Sequence, residues 1–144
     1  MKILVSACLL GENCKYSGGN NYNQAVCDFA RGHQVVPVCP EVLGGLPTPR
    51  CPAEIVQGVV TNKEGINVDR EFRAGAAKAL AIAKENGVEL AILQSRSPSF
   101  GVTEIYDGTF SGPKIPGQGV FAKTLTADSI RFQEARDLPK ILLK

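Results

Sequence analysis

Residues 1–19 constrain the fold most strongly, because an apolar run in this segment ends close to a thiol. The run Ile3-Leu4-Val5 is β-prone, and Cys8 lies where the corresponding strand is expected to end. A second cysteine follows at Cys14, and the Gly-Gly-Asn-Asn cluster after it predicts a turn. Open α/β sheets bind ligands beyond the carboxyl ends of their strands. The segment therefore favours a strand that delivers a reactive thiol. The alternative is that Cys8 is a small buried apolar residue.

The length and charge of the chain indicate an ordinary globular domain. Its 144 residues are enough for one domain, spanning 1–144, to bury its own core. The formal net charge of +2 is too small to indicate a nucleic-acid-binding surface. No run reaches the ~18 apolar residues of a transmembrane helix, and the N-terminus has no signal-peptide pattern. We therefore expect a soluble, cytoplasmic protein.

All five cysteines lie within the first 51 residues of the chain, at positions 8, 14, 27, 39 and 51. An odd number of cysteines in a reducing compartment argues against a disulfide scaffold and for thiol or metal chemistry. Cys27 falls on a predicted helix and is interpreted as structural. The only histidine, His33, is expected in a solvated loop. Any catalysis must therefore rest mainly on thiolates, carboxylates, hydroxyls and backbone groups.

Alternating helical and strand patterns predict an α/β fold with a mostly parallel sheet. Apolar residues recur at helical spacing in 22–31 and 69–86, and each segment is followed by a glycine. Short apolar runs predict strands at 34–38 and 89–93. This strand-helix-strand order implies parallel strands joined by right-handed crossovers.

The other segments are rich in glycine and proline or lie near the C-terminus. We expect a long ordered loop at 42–54, a strand or hairpin arm at 55–60 with TNKEG as its turn, and a turn-rich excursion with little regular structure at 102–119. A third helix is predicted at 127–136, with Asp128 near its start. The final LPKILLK segment is a candidate edge strand.

Three of the predicted loops, at 8–21, 39–51 and 94–101, begin where predicted strands end. In a parallel sheet these ends meet along one edge. The candidates for a common site are Cys8, Cys14, Cys39, Glu41, Cys51, Ser95, Ser97 and Ser99. Several thiols from separate loops suit a soft metal, either iron in a cluster or zinc. Spacing alone leaves open the alternative of a few buried cysteines and one exposed thiol.

Three further features of these loops suit either chemistry or structure. Near thiolates or in an apolar pocket the pKa of a carboxylate such as Glu41 rises, which suits a proton donor. The alternative is a carboxylate that caps a helix or staples a loop. Arg50 can bind an anionic or carbonyl-bearing substrate, or it can tie its loop to Glu54. Ser97-Pro98-Ser99 can present hydroxyl and N–H groups to a ligand, or it can form an ordinary turn.

The chain carries four segments that, in this order, resemble the short, single-domain form of the thiouracil desulfidase family: SACLLGENCKYSGGNN, VCPEVLGGLPTPR, SPSFG and IYDGTFSG. The resemblance covers nearly the whole chain. It implies a Rossmann-like, three-layer α/β domain with helices on both faces of the sheet. The implied activity replaces the sulfur of a thiolated uracil base with oxygen from water and releases sulfide. Relatives with an additional domain are associated with thiolated uridine in transfer RNA, so a thiolated RNA nucleoside is a second implied substrate.

The resemblance also implies a [4Fe–4S] cluster held by three cysteines, with one iron open to the sulfur of the substrate. Cys8 matches a family ligand. Phe100 stands where the SPSCG motif of the family has a ligand cysteine, and Gly44 stands at another ligand position, three residues after the glutamate. The cysteines available as replacements are Cys39 and Cys51, or Cys14.

The same resemblance implies that Glu41 and one serine, Ser97 or Ser99, move protons during the reaction. We therefore consider three hypotheses. The first is a non-redox desulfidase that uses an iron–sulfur cluster. The second is a non-catalytic module that has lost the cluster and binds a nucleobase or a small anion. The third is a thiol enzyme with Cys8 or Cys39 as its nucleophile, which lacks an obvious base.

Overall fold

A parallel four-stranded sheet forms the centre of the protein, whose computed structural model describes residues 1–95 and 97–135. The sheet has the order β2-β1-β5-β8, with β1 at Lys2–Ser6, β2 at Gln34–Val38, β5 at Leu90–Leu93 and β8 at Arg131–Glu134. All three pairs of neighbouring strands are parallel. The sequence-based prediction of an α/β fold with a mostly parallel sheet is therefore confirmed.

Helices cover both faces of this sheet. They are α1 at Gln24–Ala30, α2 at Pro40–Leu43, α3 at Asp69–Glu85 and α4 at Val120–Ala127, and a short 3-10 helix spans Ala7–Leu10. The side chains of β1 alternate between two apolar cores, one on each face of the sheet. Ile3 and Val5 pack with α1 on one face, and Leu4 packs with α3 and α4 on the other. This arrangement is the expected three-layer architecture.

The predicted helices at 22–31 and 69–86 are present, with shorter bounds. The side chain of Asn23 accepts a hydrogen bond from the N–H of Val26 at 3.1 Å and so fixes the start of α1. On α3, Phe72, Ala76 and Ala83 are buried, as the apolar pattern indicates. Gly87 follows with a positive φ of 64°, a conformation that glycine adopts easily.

The helix predicted at 127–136 is wrong. Helix α4 ends at Ala127, and Asp128 follows the helix rather than starting one. The buried residues Phe121 and Leu125 draw the preceding segment onto the sheet. Ser129 then takes a positive φ of 57°, and the chain continues as β8, the last strand of the four-stranded sheet. The edge strand predicted at LPKILLK lies outside the described residues.

Two short hairpins flank the sheet. The first pairs β3 (Ala53–Val56) with β4 (Val59–Asn62), and the second pairs β6 (Glu104–Tyr106) with β7 (Lys114–Pro116). The turn of the first hairpin is Gln57-Gly58, with φ values of 50° and 81°, rather than TNKEG. TNKEG instead overlaps the end of β4 and forms the next turn, which the Asn62 side chain closes by accepting from Glu64 N–H and Ile66 N–H.

The carboxyl ends of β1, β2 and β5 are aligned at one edge of the sheet. Ser6 lies opposite Val38 across the β1–β2 pair. The buried hydroxyl of Ser6 also accepts a hydrogen bond from the N–H of Gln94 at 3.1 Å, which extends the pairing of β1 with β5. Because α1 and α3 lie on opposite faces, this edge is a switch point of the kind that binds ligands in open α/β sheets. No helix in the described part of the chain is long and apolar enough to cross a membrane.

Candidate active site

A cavity of about 580 Å³ opens at this edge of the sheet. Its volume lies within the usual range of small-molecule sites. All three loops predicted to converge contribute to its wall. The predicted residues that line it are Cys8, Cys14, Cys39, Glu41, Arg50, Cys51, Ser95 and Ser97. Ser99 does not line the cavity, although it belongs to the same loop.

Cys14 and Cys39 are in contact, with Cys39 Sγ 3.8 Å from the Cys14 carbonyl oxygen, and their thiols influence each other's pKa. This contact lowers the pKa of Cys39, and the backbone N–H of Val42 and the charge of Arg50 lower it further, against the effects of burial and of Glu41. The same contact, with burial, raises the pKa of Cys14. Cys39 precedes the first residue of α2, a position that favours thiolates. Of the two thiols, Cys39 therefore has the lower pKa.

Cys8 is the most buried thiol of the cavity, with 8% of its surface exposed. Burial raises the pKa of Cys8, and the nearby charges of Cys39 and Glu41 act in the same direction. The side chain of Asn21 opposes this effect by donating a hydrogen bond to Cys8 Sγ at 3.6 Å. A donor of this kind stabilises the thiolate form that a metal requires.

Glu41 is a buried carboxylate beside these thiols. It is 8% exposed, and its Oε2 atom lies 3.6 Å from Cys39 Sγ, which is the donor of that contact. Its backbone is fixed because α2 packs closely against α3 at two glycines, Gly44 and Gly75. The carboxylate is therefore held at the wall of the cavity, where it can accept or donate a proton.

Arg50 binds neighbouring loops rather than Glu54. Its Nη1 donates to the Pro47 carbonyl oxygen at 3.2 Å and to Thr48 Oγ1 at 3.1 Å, and its Nη2 donates to the Cys14 carbonyl oxygen at 3.0 Å. These bonds join the loop after β1 to the loop after β2. The guanidinium also lines the cavity, so a role in substrate binding stays a prediction.

The two serines of the SPSFG segment face different surroundings. Ser97 Oγ accepts hydrogen bonds from Ser99 N–H at 3.0 Å and Phe100 N–H at 2.9 Å, so its own proton is available to the cavity. Ser99 is fully buried, and its hydroxyl has no hydrogen-bond partner among the described residues. Its carbonyl oxygen instead accepts from the N–H groups of Phe121 and Ala122 at the start of α4.

Sequence reasoning missed several residues of the cavity wall. Asn21 was interpreted only as part of a turn, and the Gly-Gly-Asn-Asn pattern gives no sign that its amide reaches Cys8. Tyr106 lines the cavity from the IYDGTFSG segment. Glu54 holds that segment in place by accepting from Gly108 N–H at 3.0 Å and Phe110 N–H at 3.2 Å. The signal for Tyr106 was the motif itself, whereas Glu54 lies outside every quoted motif.

Two predicted residues lie away from the cavity. Cys27 is half-buried on α1, and its thiol lies 3.9 Å from the carbonyl oxygen of Leu9. His33 lies in the loop after α1, as expected, and is half-buried there. Its ring packs at 5.0 Å from that of Phe29, and its Nδ1 is buried without a hydrogen-bond partner among the described residues.

The donor set of the cavity fits an iron–sulfur cluster. Four free thiols line the cavity, and thiolate is the ligand that such clusters require. Within the described residues, no three Cys, His, Asp or Glu side chains are arranged to hold a metal ion. A four-iron cluster does not require its cysteines to converge on one ion, because each thiolate binds a different iron. The available ligands are therefore Cys8, Cys14, Cys39 and Cys51.

Comparisons with known proteins agree with this chemistry. The uncharacterized protein YbbK of Bacillus subtilis (strain 168) is 40% identical over 150 residues, which cover 97% of this chain and 99% of YbbK. A solved structure of the [4Fe–4S]-dependent thiouracil desulfidase TudS is 39% identical and superposes with a TM-score of 0.89. That match covers 99% of this chain and 95% of TudS.

A model of one enzyme family also matches almost the whole described chain. The match runs over residues 3–137 and includes every residue that lines the cavity. The expectation of an enzyme is confirmed at the level of the family. The chain belongs to the 2-thiouracil desulfurase family.

Proposed function

We propose that this protein replaces the sulfur of a thiolated uracil base with oxygen and depends on a [4Fe–4S] cluster. The observation that carries the proposal is the cavity itself, which is lined by four thiols and by the buried carboxylate of Glu41. The family and the similarity to TudS support the same reaction class. The substrate that we propose is the free base 2-thiouracil.

The reaction is a hydrolysis that needs no reductant. A carbon–oxygen bond forms between water and the ring carbon, and the carbon–sulfur bond breaks. Sulfur leaves as hydrogen sulfide with the two protons that the water loses. No electrons are exchanged with a donor or acceptor, so the protein must bind the base, orient the water and move protons.

When bound, the cluster supplies a thiophilic Lewis acid for the sulfur of the base. The chain supplies the thiols that hold it and an apolar wall for the ring, which includes Phe100 and Tyr106. The cavity is larger than one pyrimidine ring, so it has room for the base beside the cofactor.

Glu41 is the proposed proton carrier. It is buried at the cavity wall and has a thiol as its immediate neighbour at 3.6 Å. A carboxyl group in such a position can take a proton from the attacking water and return it to the departing sulfur. Ser97 is the second candidate, because its hydroxyl is oriented by two backbone N–H groups. Ser99 is less suited, since its hydroxyl does not reach the cavity.

Product analysis tests this function. Protein reconstituted with iron and sulfide without oxygen is incubated with 2-thiouracil in ¹⁸O-labelled water. We expect equal amounts of uracil and sulfide, with ¹⁸O in the uracil carbonyl. Cys27→Ser is the matched control, because Cys27 lies outside the cavity and this variant should keep full activity.

Two outcomes would contradict the proposal. Tight binding of the base by the cluster-loaded protein without product would favour the non-catalytic binding module. Equal turnover by cluster-free protein would favour a thiol enzyme that uses Cys8 or Cys39. Parallel assays with 2-thiouridine compare the base with the nucleoside as substrate.

A further inference from the structure

Two positions that the family resemblance assigns to cluster ligands are closed in this chain. The ring of Phe100 is 4% exposed and packs edge-on against Phe121, with ring centroids 5.9 Å apart. Gly44 cannot be replaced by a cysteine, because a Cβ there would overlap the carbonyl oxygen of Glu71. A cluster in this cavity must therefore be held by other thiols.

We propose that Cys8, Cys14 and Cys39 are the three protein ligands of the cluster and that Cys51 is not a ligand. This inference rests on the cofactor of the proposed function. A set of three thiolates leaves one iron without a protein ligand, which is the open position that a catalytic metal site needs.

Mutual contact is the first argument for these three thiols. Cys14 and Cys39 are adjacent, because Cys39 Sγ donates to the Cys14 carbonyl oxygen at 3.8 Å. Cys8 lies within electrostatic range of both. The thiol of Cys51 makes no hydrogen bond with any of them in the described structure. Cys51 lines the same cavity without a contact of this kind.

The backbone around Cys14 is held in place although no helix or strand contains it. Arg50 Nη2 donates to the Cys14 carbonyl oxygen at 3.0 Å, and Arg50 N–H donates to the Tyr16 carbonyl oxygen at 2.7 Å. The N–H of Cys14 donates to the Glu12 carbonyl oxygen at 2.9 Å. Ligands held before the metal arrives lose less entropy on binding, so this anchoring favours Cys14 as a ligand.

Hydrogen-bond donors to sulfur are the third argument. Asn21 donates to Cys8 Sγ at 3.6 Å. Donors of this kind orient cluster thiolates and tune the potential of the cluster. Cys39 Sγ donates to the Cys14 carbonyl oxygen and to Glu41 Oε2, and these contacts are released when the thiol loses its proton to bind iron. Cys8 and Cys39 thus each have specific sulfur contacts, and the anchored backbone of Cys14 places that residue beside Cys39.

The test measures cluster content and not turnover. Alanine variants of all five cysteines are purified without oxygen and reconstituted, and iron, acid-labile sulfide and the visible spectrum are measured. We expect about four irons per chain in the parent protein and the same in Cys51→Ala and Cys27→Ala. Cluster content should fall at least about tenfold in Cys8→Ala, Cys14→Ala and Cys39→Ala. Circular dichroism and melting curves show whether each variant is folded, and the serine variants replace any that is not.

The outcomes separate this inference from the proposed function. A full cluster in Cys14→Ala, or its loss in Cys51→Ala, would overturn the ligand set while the parent protein still turned over 2-thiouracil. A parent protein that takes up no cluster would overturn both. A parent protein that holds its cluster through these three cysteines but releases no sulfide would uphold the ligand set and overturn the function.

Discussion

Gly44 and Gly75 face each other across the contact between α2 and α3, and neither position has room for a side chain. A Cβ at Gly44 would overlap the carbonyl oxygen of Glu71, and a Cβ at Gly75 would overlap that of Pro40. This backbone contact seats α2, and with it Glu41, against the longest described helix. The position of the catalytic candidate thus depends on two glycines outside the cavity.

A side chain at this contact should destabilise the protein. Gly75→Ala gains helix propensity of up to about 1 kcal/mol, but it forces two backbones apart, and overpacking costs about 1–3 kcal/mol or more. We expect a net fall in the free energy of unfolding, measured by denaturant titration. Gly19→Ala is the control, because its Cβ would make only ordinary contact at 3.5 Å with Ser17 Oγ. Equal stability of both variants would contradict the close packing.

The reactivity of Cys39 in the cluster-free protein should depend on its two neighbours in opposite ways. The Cys14 thiol lowers the pKa of Cys39, so Cys14→Ala should raise the pH midpoint of its alkylation. The charge of Glu41 raises the pKa of Cys39, so Glu41→Gln should lower that midpoint. Mass spectrometry of iodoacetamide-treated protein follows the modification of Cys39 itself. Midpoints that shift together, or not at all, would refute the arrangement.

Glu41→Gln also separates proton transfer from cofactor binding. The variant keeps the size of the side chain but cannot carry a proton, and general acid–base groups contribute about 10²–10⁴-fold to rate. We therefore expect turnover to fall by about that factor while iron and sulfide content stay at the parent level. The exposed Glu64→Gln is the matched control and should leave turnover unchanged. Undiminished turnover in Glu41→Gln would remove this carboxylate from the mechanism.

The two serines should respond differently to alanine. Ser97→Ala leaves two backbone N–H groups without their acceptor, so we expect a loss of about 1–3 kcal/mol in stability together with slower turnover. Ser99→Ala removes a buried hydroxyl without a partner among the described residues, so stability should be unchanged or slightly higher. Thermal denaturation and the uracil assay compare the pair. The reverse pattern would identify Ser99 as the functional serine.

The sequence was sufficient to predict the location of the site because parallel strands share one carboxyl edge. Cys8, Cys39 and Gln94 each follow a strand closely, so strand prediction alone placed their loops together. It was not sufficient for the contact between Cys14 and Cys39. That contact depends on the conformation of the loop after β1, which Arg50 fixes from a distant part of the chain.

The C-terminal part of the described chain shows the limit of local patterns. The segment from 120 to 127 forms a helix because Phe121 and Leu125 are buried on the sheet and because its first N–H groups bind the carbonyl oxygen of Ser99. Ser99 and most of the core residues around Phe121 and Leu125 lie far from this segment in the sequence. Aspartate is common at the start of a helix. Asp128 instead follows α4 and forms an ion pair with Lys84 at 3.0 Å. Tertiary contacts therefore decide this region.

The most direct test of the account is turnover as a function of cluster content in one preparation. Cluster-free protein is reconstituted stepwise without oxygen, and at each step the irons per chain and the rate of uracil formation from 2-thiouracil are measured together. The account predicts a rate that is zero without cluster and rises in proportion to cluster content. A rate that is independent of cluster content, or no reaction at full loading, would contradict it.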